Sequence, residues 1–233
     1  LNENGLCFAS EVRAFKAIDP NWKEQPDWRT YFLLFGHIPE PFTTLDQVYS
    51  MQKGSWMEID LQRLQSRSGQ FFHPSYQYAI HSERDAVLKI RETLQKAVQR
   101  HLISDAPIGL FLSGGIDSSL LTLLAQKYCG DQLHTLSIDF DEVDFSEQKY
   151  QQLIIDSSGA KHRSFTVSKQ HFIEAMPDIL KAMDQPSNDG INAYFITRYA
   201  REAGLKAVLS GIGADELFGG YPSFKRKKIF KYA

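Results

Sequence analysis

The chain has 233 residues, of which 42% are hydrophobic, so it is long enough for one large or two small domains with a packed core. Its 26 Lys and Arg against 28 Asp and Glu give a net charge of -2, which excludes an overall field that would attract nucleic acid or an anionic membrane. The two cysteines lie far apart, and neither a signal segment nor a run of about 20 apolar residues occurs. We therefore expect a soluble, cytoplasmic protein without a zinc cluster or a disulfide framework.

The N-terminal region, residues 1–65, consists of short aromatic segments separated by prolines. The stretch LCFASE predicts a strand in which Cys7 is a core residue. WRTYFLLF predicts a short helix ended by Gly36, and SWMEIDL alternates like a half-buried strand. Residues 66–81 are polar and contain glycine and proline, which predicts a linker to a second domain at residues 82–233.

The second domain alternates between helical and strand-like segments. Apolar residues at helical spacing predict a helix over residues 83–102. Four apolar strands are predicted at IGLFL, LHTLSID, HRSFTV and KAVLS. The helices predicted between them are Ser118–Tyr128, Ser146–Ser157, Lys169–Met183 and Ala193–Ala203. This alternation predicts an α/β fold, with a parallel sheet covered by helices on both faces and a ligand site at the carboxyl ends of its strands.

The loop LSGGIDSS, residues 112–119, follows the first of these strands and precedes a helix. Gly114 and Gly115 can bring backbone N–H groups close to an oxyanion, at the positive end of that helix. The loop also contains three hydroxyl side chains, Ser113, Ser118 and Ser119. Asp117 fits a magnesium ion that bridges carboxylate and phosphate oxygens. In the alternative, Asp117 or Ser113 caps the helix and the glycines form a tight turn, but the strand before the loop and the helix after it favour a phosphate site.

A second glycine-rich loop, LSGIGADELFGGY, spans residues 209–221 and follows the last predicted strand. With LSGGIDSS, it resembles the two signatures of the asparagine synthetase family, whose synthetase domain is an ATP pyrophosphatase with a PP-loop. The segments DFSEQKYQQ and MDQPSND between the signatures are similar to family segments as well. Residues 1–65 are similar to the tail of a class II glutaminase domain without its N-terminal cysteine nucleophile. The resemblance implies an adenine-nucleotide α-hydrolase-like sheet, preceded by the end of an α+β glutaminase domain.

The resemblance also implies site residues. The nucleotide pocket would comprise Leu112, Ser113, Gly114, Gly115, Asp117, Ser118, Ser119, Ile138, Ser210 and Gly211. Asp117 and Asp215 would hold Mg²⁺ and be the catalytic residues. Two carboxylates at neighbouring strand ends can share metal ions that offset the charge on departing pyrophosphate. The alternative for Asp215 and Glu216 is that they are acids at a helix start that complement its dipole.

Ile212 departs from the family pattern. The resemblance would place at this position a glutamate that assists the attack of ammonia, and isoleucine has no proton-accepting group. Four explanations stay open. The explanations are that another acid takes the role of the glutamate, that ammonia arrives already neutral through a tunnel, that the acceptor is not ammonia, or that the position varies among paralogues that act on other carboxylates.

Several further residues are weaker candidates. Asp184, Asn188 and Asp189 in MDQPSNDG could face the substrate, although the same segment predicts an ordinary turn. An isolated histidine such as His162 is more often a surface or packing residue. The basic run KRKK, residues 225–228, predicts a solvated helix face.

The function that the resemblance implies is ATP-dependent amidation of a carboxylate. The enzyme would form an acyl adenylate, release pyrophosphate and AMP, and use ammonia from glutamine, with L-aspartate as the default substrate and ATP and Mg²⁺ as cofactors. The alternatives are a paralogue that amidates or cyclises a sugar, peptide or β-lactam-type carboxylate, and a nucleotide-binding module without turnover. No nucleic-acid or membrane partner is expected, and a homodimer is left open. The chain reads as a piece of a longer protein that need not be active alone.

Overall fold

The computed structural model describes residues 6–63, 65–75, 79–141 and 147–224. The chain divides into two compact units, one comprising Leu1–Ala79 with Met176–Asn192 and the other Ile80–Ala175 with Ala193–Ala233. The start of the helix predicted from Ser146 lies outside the described residues, and so does the basic run at residues 225–228.

The first unit contains two short helices and a two-stranded sheet. The helices are α1 (Arg13–Ile18) and α2 (Trp28–Phe35), and Gly36 ends α2 in the left-handed conformation with φ 72°, as predicted. Strand β1 (Ser55–Asp60) pairs antiparallel with β2 (Gln65–Gln70). A small core supports this unit, formed by Val12, Phe15, Trp22, Leu45 and Val48.

Two expectations for this region are corrected. Residues 6–10 form no strand and Cys7 is exposed, so the prediction of a core cysteine in a strand is wrong. A strand needs a hydrogen-bonded neighbour, and in the described part of this unit β1 and β2 pair only with each other. The first part of the predicted linker, residues 66–70, belongs to β2. The boundaries of the predicted domains stay predictions.

The second unit is built on a four-stranded parallel sheet. Its strands are β3 (Ile108–Phe111), β4 (His134–Phe140), β5 (Lys161–Val167) and β6 (Ala207–Leu209), in the order β5-β4-β3-β6. The helices of the chain from residue 80 onward are α3 (Glu83–His101), α4 (Ile116–Cys129), α5 (Gln148–Ser158), α6 (Lys169–Ala182), α7 (Gly190–Glu202) and α8 (Ala214–Phe218). Helices α6 and α7 each contribute residues to both units. Among the described residues, no helix combines the length and the apolar character that crossing a bilayer requires.

Helices cover both faces of the parallel sheet, as predicted. Successive residues of a strand point to opposite faces, and Leu110 and Phe111 of β3 pack into different clusters. Leu110 packs with Val98 of α3 and with α4, whereas Phe111 packs against the cluster that contains Ala200 of α7. The α/β architecture predicted from the alternating elements is therefore confirmed.

The strand order reverses at β3, which has β4 on one side and β6 on the other. Parallel sheets bind ligands at such a switch point, outside the carboxyl ends of the strands. The two glycine-rich loops follow β3 and β6 directly. Because these strands are hydrogen-bonded neighbours, the topology places the loops side by side at the switch point.

Candidate phosphate-binding site

The loop after β3 has the backbone geometry of an anion cradle. Gly114 adopts φ 80°, which L side chains rarely adopt, and it turns the chain into α4. Gly115 is the N-cap of this 14-residue helix and makes no side-chain capping hydrogen bond. The N-cap residue therefore leaves the N–H groups of the first turn uncapped, at the positive end of the helix dipole.

Two serines brace this loop. The buried Ser118 hydroxyl accepts a hydrogen bond from the Ser113 N–H at 3.2 Å and donates one to the Gly115 carbonyl at 3.1 Å. The Ser113 and Ser118 hydroxyls lie 3.0 Å apart. Ser119, in the first turn of α4, donates its N–H to the Gly115 carbonyl at 3.0 Å. Ser118 therefore holds the loop, and the exposed Ser113 hydroxyl takes part in the same bracing, since it contacts Ser118 and accepts a hydrogen bond from the Gly115 N–H at 3.4 Å.

The start of α5 packs tightly on Gly114. A Cβ added there would lie 3.2 Å from the Glu147 carbonyl oxygen and 3.2 Å from the Tyr150 Cβ. Both the positive φ and this close approach require glycine. The loop is thus fixed from the α5 side as well as by its own serines.

The loop after β6 contacts the first turn of α4. A Cβ on Gly211 would lie 3.1 Å from the Asp117 Cβ and 3.2 Å from the Ser118 nitrogen. The Ser210 hydroxyl accepts a hydrogen bond from the Ile212 N–H at 3.3 Å. The structure thus brings together the two loops that the sequence placed at one edge of the sheet.

A mostly apolar cavity of about 220 Å³ opens beside this contact. Its lining consists of Leu94, Asp117, Leu120, Leu121, Ser210, Gly211, Ile212, Gly213, Ala214, Leu217 and Phe218. Ile212 is 85% exposed, and Asp117 is the only charged residue that the described chain contributes to the lining. The sequence analysis did not foresee this cavity, because Leu94, Leu120 and Phe218 read as ordinary helix residues.

The two predicted metal ligands are placed differently. Both Asp117 and Asp215 are half-buried, but only Asp117 lines the cavity. The Asp215 carboxylate turns towards Gly220 at the other end of α8, in the space that a side chain there would fill. Glu216 accepts a hydrogen bond from the Tyr221 hydroxyl at 3.0 Å, which ties it to the end of the same helix.

The donor set around the loops suits an ion that is held partly by phosphate. Within the described ranges, no group of three or more His, Cys, Asp or Glu side chains could hold a metal by itself. Mg²⁺ usually keeps waters and substrate phosphates and takes only one or two carboxylates from the protein. The half-buried Asp117 carboxylate at the contact of the two loops fits that pattern, whereas the Asp215 carboxylate is turned towards Gly220. Both stay predicted ligands.

Leu112 and Ile138 lie at the carboxyl ends of the two central strands. Leu112 is fully buried and donates its N–H to the Leu136 carbonyl at 2.8 Å, which extends the sheet beyond β3. Ile138 is half-buried and pairs in register with Phe165 of β5. Their role as nucleotide contacts stays a prediction.

A buried polar network, missed in the sequence, lies on one face of β4. The Thr135 and Ser137 hydroxyls contact the two ring nitrogens of His162 at 2.9 and 3.0 Å, and Ser137 contacts Ser164 at 3.2 Å. Ser164 donates to the buried Asp139 carboxylate at 2.6 Å, and the other oxygen of that carboxylate has no hydrogen-bond partner among the described residues. Parallel strands are usually apolar on both faces. The network therefore replaces apolar packing on this face of the sheet.

Burial shifts two pKa values around this network. Burial lowers the pKa of His162, and the nearby Asp139 charge opposes that effect. Burial raises the pKa of Glu147, and the Asp139 charge adds to the increase. His162 is thus held in a polar network by hydrogen bonds at both ring nitrogens, which the interpretation as a surface or packing residue did not include.

Asp184 and Asp189, the weaker candidates for substrate contact, lie in the segment Met176–Asn192 of the first unit. The Asp184 carboxylate accepts hydrogen bonds from the backbone N–H groups of Val12 at 2.7 Å and Arg13 at 2.8 Å, at the start of α1. Asp189 is exposed, and its N–H donates to the Ser187 hydroxyl at 3.2 Å. Contact of Asp184 or Asp189 with substrate stays a prediction, and the structure adds a helix-capping role for Asp184.

These features define a class of protein. A parallel α/β sheet with a glycine-rich strand-to-helix loop at its switch point is an architecture in which a helix N-terminus can accept a phosphate group. Comparison with known families narrows the class. The family described as Asparagine synthase matches residues 89–232, and the chain belongs to that family.

Individual relatives agree with this family. The chain is 32% identical over 200 residues to a putative asparagine synthetase [glutamine-hydrolyzing] of Mycobacterium tuberculosis, covering 84% of this chain and 30% of that protein. It is 30% identical over 233 residues to asparagine synthetase [glutamine-hydrolyzing] 1 of Bacillus subtilis, covering 97% of this chain and 36% of the relative. The chain therefore spans about a third of the length of these relatives.

Among solved structures, an NH3-dependent NAD synthetase from Campylobacter jejuni is similar with a TM-score of 0.41 and 17% sequence identity. The similarity covers 57% of this chain and 60% of that chain.

Proposed function

We propose that the protein is an ATP-dependent ligase that adenylates a carboxylate and transfers the acyl group to ammonia. The observation that carries the proposal is the contact between the two glycine-rich loops, where Gly211 lies against Asp117 at the start of α4. This contact joins an anion cradle to a carboxylate within a chain of the asparagine synthase family. The names of the relatives support glutamine as the source of the ammonia.

The proposed reaction has two steps. A carboxylate oxygen of the substrate attacks the α-phosphorus of ATP, the bond to the bridging oxygen of the β-phosphate breaks, and pyrophosphate leaves with the electron pair. The nitrogen of ammonia then attacks the carbonyl carbon, the bond to the AMP oxygen breaks, and the nitrogen loses a proton. The products are AMP, pyrophosphate and an amide.

The residues of the chain have distinct tasks in this proposal. The N–H groups around Gly114 and Gly115 bind the phosphate oxygens. The Ser113 hydroxyl, which contacts Ser118 in this structure, would turn to the ligand as a further donor. Ser118 keeps the loop in shape through its hydrogen bonds with Ser113 and Gly115. Asp117 and Asp215 would hold Mg²⁺, which when bound neutralises charge on the departing pyrophosphate.

L-aspartate is the reference substrate, because the relatives are named asparagine synthetases. A second candidate function, amidation of another carboxylate, is favoured by one observation. Ile212, 85% exposed in the loop after β6, gives the site an apolar side chain instead of an acid or a base. The proposal places the reaction in the cytoplasm, where ATP and glutamine are available, and leaves a homodimer as the assembly to test.

The proposal is tested by AMP and pyrophosphate release from the full-length encoded protein, given magnesium ATP, ammonium and L-aspartate or another carboxylate. We expect carboxylate-dependent formation of both products in equal amounts. The variant Asp117→Asn should lose at least about 100-fold in rate, as expected when a metal ligand at a charged transition state is removed. Asp131→Asn, which changes an exposed acid in the turn after α4, is the matched control. Release of ADP and phosphate, or equal rates in the two variants, would contradict the proposal.

A further inference from the structure

We infer that the carboxylate substrate carries an apolar group, a branched aliphatic chain or an aromatic ring, which binds in the cavity beside Asp117. This inference rests on the proposed function and specifies its substrate class. It depends on four features of the cavity: what lines it, where it lies, its charge and its size.

The lining is apolar, and much of it faces solvent in this structure. Ile212 is 85% exposed, Leu217 77% and Phe218 59%, and Leu120 of α4 contributes another 43% exposed side chain. Small-molecule sites are typically concave and lined mostly by apolar side chains, as this cavity is. A ligand group that covers it gains free energy by removing this apolar area from water.

The cavity adjoins the candidate phosphate site. Asp117, Ser210 and Gly211 line the cavity and also belong to the two loops in contact at the start of α4. A substrate whose apolar group lies against Ile212 therefore has its carboxylate within reach of the phosphate loop. We expect a carboxylate oxygen in that position to attack the α-phosphorus.

The charge of the cavity disfavours a second carboxylate on the substrate. Among its lining residues, all of them in the described chain, there is no Lys, Arg or His, and the one charge is the carboxylate of Asp117. When the side-chain carboxylate of aspartate is the one that is adenylated, its α-carboxylate would lie in the cavity without a cationic partner, which is unfavourable. An uncharged apolar group avoids this cost.

The size of the cavity limits the group that fits. An apolar protein cavity of about 150 Å³ accepts a benzene ring. The cavity here measures about 220 Å³, enough for one aromatic ring or a branched chain of similar size. Large fused rings and long acyl chains exceed it.

The test is exchange of labelled pyrophosphate into ATP by the full-length encoded protein, which reports adenylation without the ammonia step. The acids are 4-methylpentanoate, L-leucine and L-phenylalanine, which carry an apolar group, and L-aspartate, whose side-chain carboxylate reacts when asparagine is formed. We expect kcat/KM for the best apolar acid to exceed that for L-aspartate by about 100-fold or more, since a single methylene in an apolar pocket gives about 10- to 200-fold. Ile212→Glu should lower exchange with that acid by at least about 10-fold.

The matched control is Ile103→Glu, because Ile103 is 80% exposed and lies outside the cavity lining. This variant should keep wild-type exchange within about twofold. A higher kcat/KM for L-aspartate than for every apolar acid, or equal effects of the two substitutions on pyrophosphate exchange, would overturn the inference. Either result would leave the proposed function standing. A large fall in melting temperature in Ile212→Glu but not in Ile103→Glu would also overturn it, since the cavity would then be covered by protein. Absence of exchange with every carboxylate, while ATP still binds, would overturn the proposed function together with the inference.

Discussion

Replacement of Gly114 by alanine tests two reasons for a glycine in the loop after β3, the left-handed backbone conformation and the close approach of α5. Gly114 has φ 80° and a neighbouring carbonyl 3.2 Å from the position of an added Cβ. Gly159, which ends α5, has φ 62° but no atom within 4 Å of such a Cβ. Gly159→Ala therefore measures the conformational cost alone, and Gly114→Ala measures that cost plus crowding against α5.

The magnitudes follow from these contacts. A left-handed conformation costs alanine about 1–2 kcal/mol, offset by about 0.4–1 kcal/mol from the reduced entropy of the unfolded chain. We expect Gly159→Ala to lower the free energy of unfolding by about 1 kcal/mol. Crowding against Glu147 and Tyr150 adds about 1–3 kcal/mol, so Gly114→Ala should lose about 2–4 kcal/mol.

Urea unfolding of the two variants gives these differences directly, and ATP affinity is measured on the folded proteins. Gly114→Ala should bind ATP more weakly, because relief of the crowding displaces the loop, whereas Gly159→Ala should bind ATP like the wild type. Equal losses of stability in the two variants, together with unchanged ATP affinity in Gly114→Ala, would refute the reasoning.

Two further predictions concern Asp184 and His162. Asp184→Ala removes the hydrogen-bond acceptor at the start of α1, so the free energy of unfolding, measured in urea, should fall by about 1 kcal/mol. The control is Asp189→Ala at an exposed position, which should change the free energy of unfolding by less than about 0.5 kcal/mol. Equal midpoints for these two variants would show that the carboxylate is not a cap. Burial lowers the pKa of His162 below its ordinary value of 6.5, so the unfolded state takes up the proton first and stability is lost as the pH falls below 6.5. Urea titrations from pH 8 to 5 should show a smaller loss in His162→Gln, and an identical loss in the variant would exclude His162 as its source.

The parallel sheet and the glycine-rich turn after β3 could be predicted because both depend on local patterns. IGLFL and KAVLS are short apolar runs before glycines, and the segments between the strands have helical spacing. The strand order β5-β4-β3-β6 has no local signature, and only the structure shows that the loop at Gly211 contacts Asp117.

The parts that the sequence did not reveal depend on distant partners. Strand β2, QSRSGQ, has almost no apolar residues, so its sequence resembles that of a linker. It forms a strand because it pairs with β1. The Asp184 cap joins residues more than 170 positions apart in the chain. In the same way, His162 and Asp139 join one network only because β4 and β5 are neighbours.

Formation of an acyl adenylate is the central claim, and transfer of oxygen tests it most directly. The carboxylate that supports the fastest pyrophosphate exchange is labelled with ¹⁸O in both oxygens and converted to the amide by the full-length encoded protein with magnesium ATP and ammonium. The account predicts that each AMP carries one ¹⁸O atom and that pyrophosphate carries none, since the carboxylate oxygen becomes bonded to the α-phosphorus. Unlabelled AMP, or ADP with labelled phosphate, would contradict it.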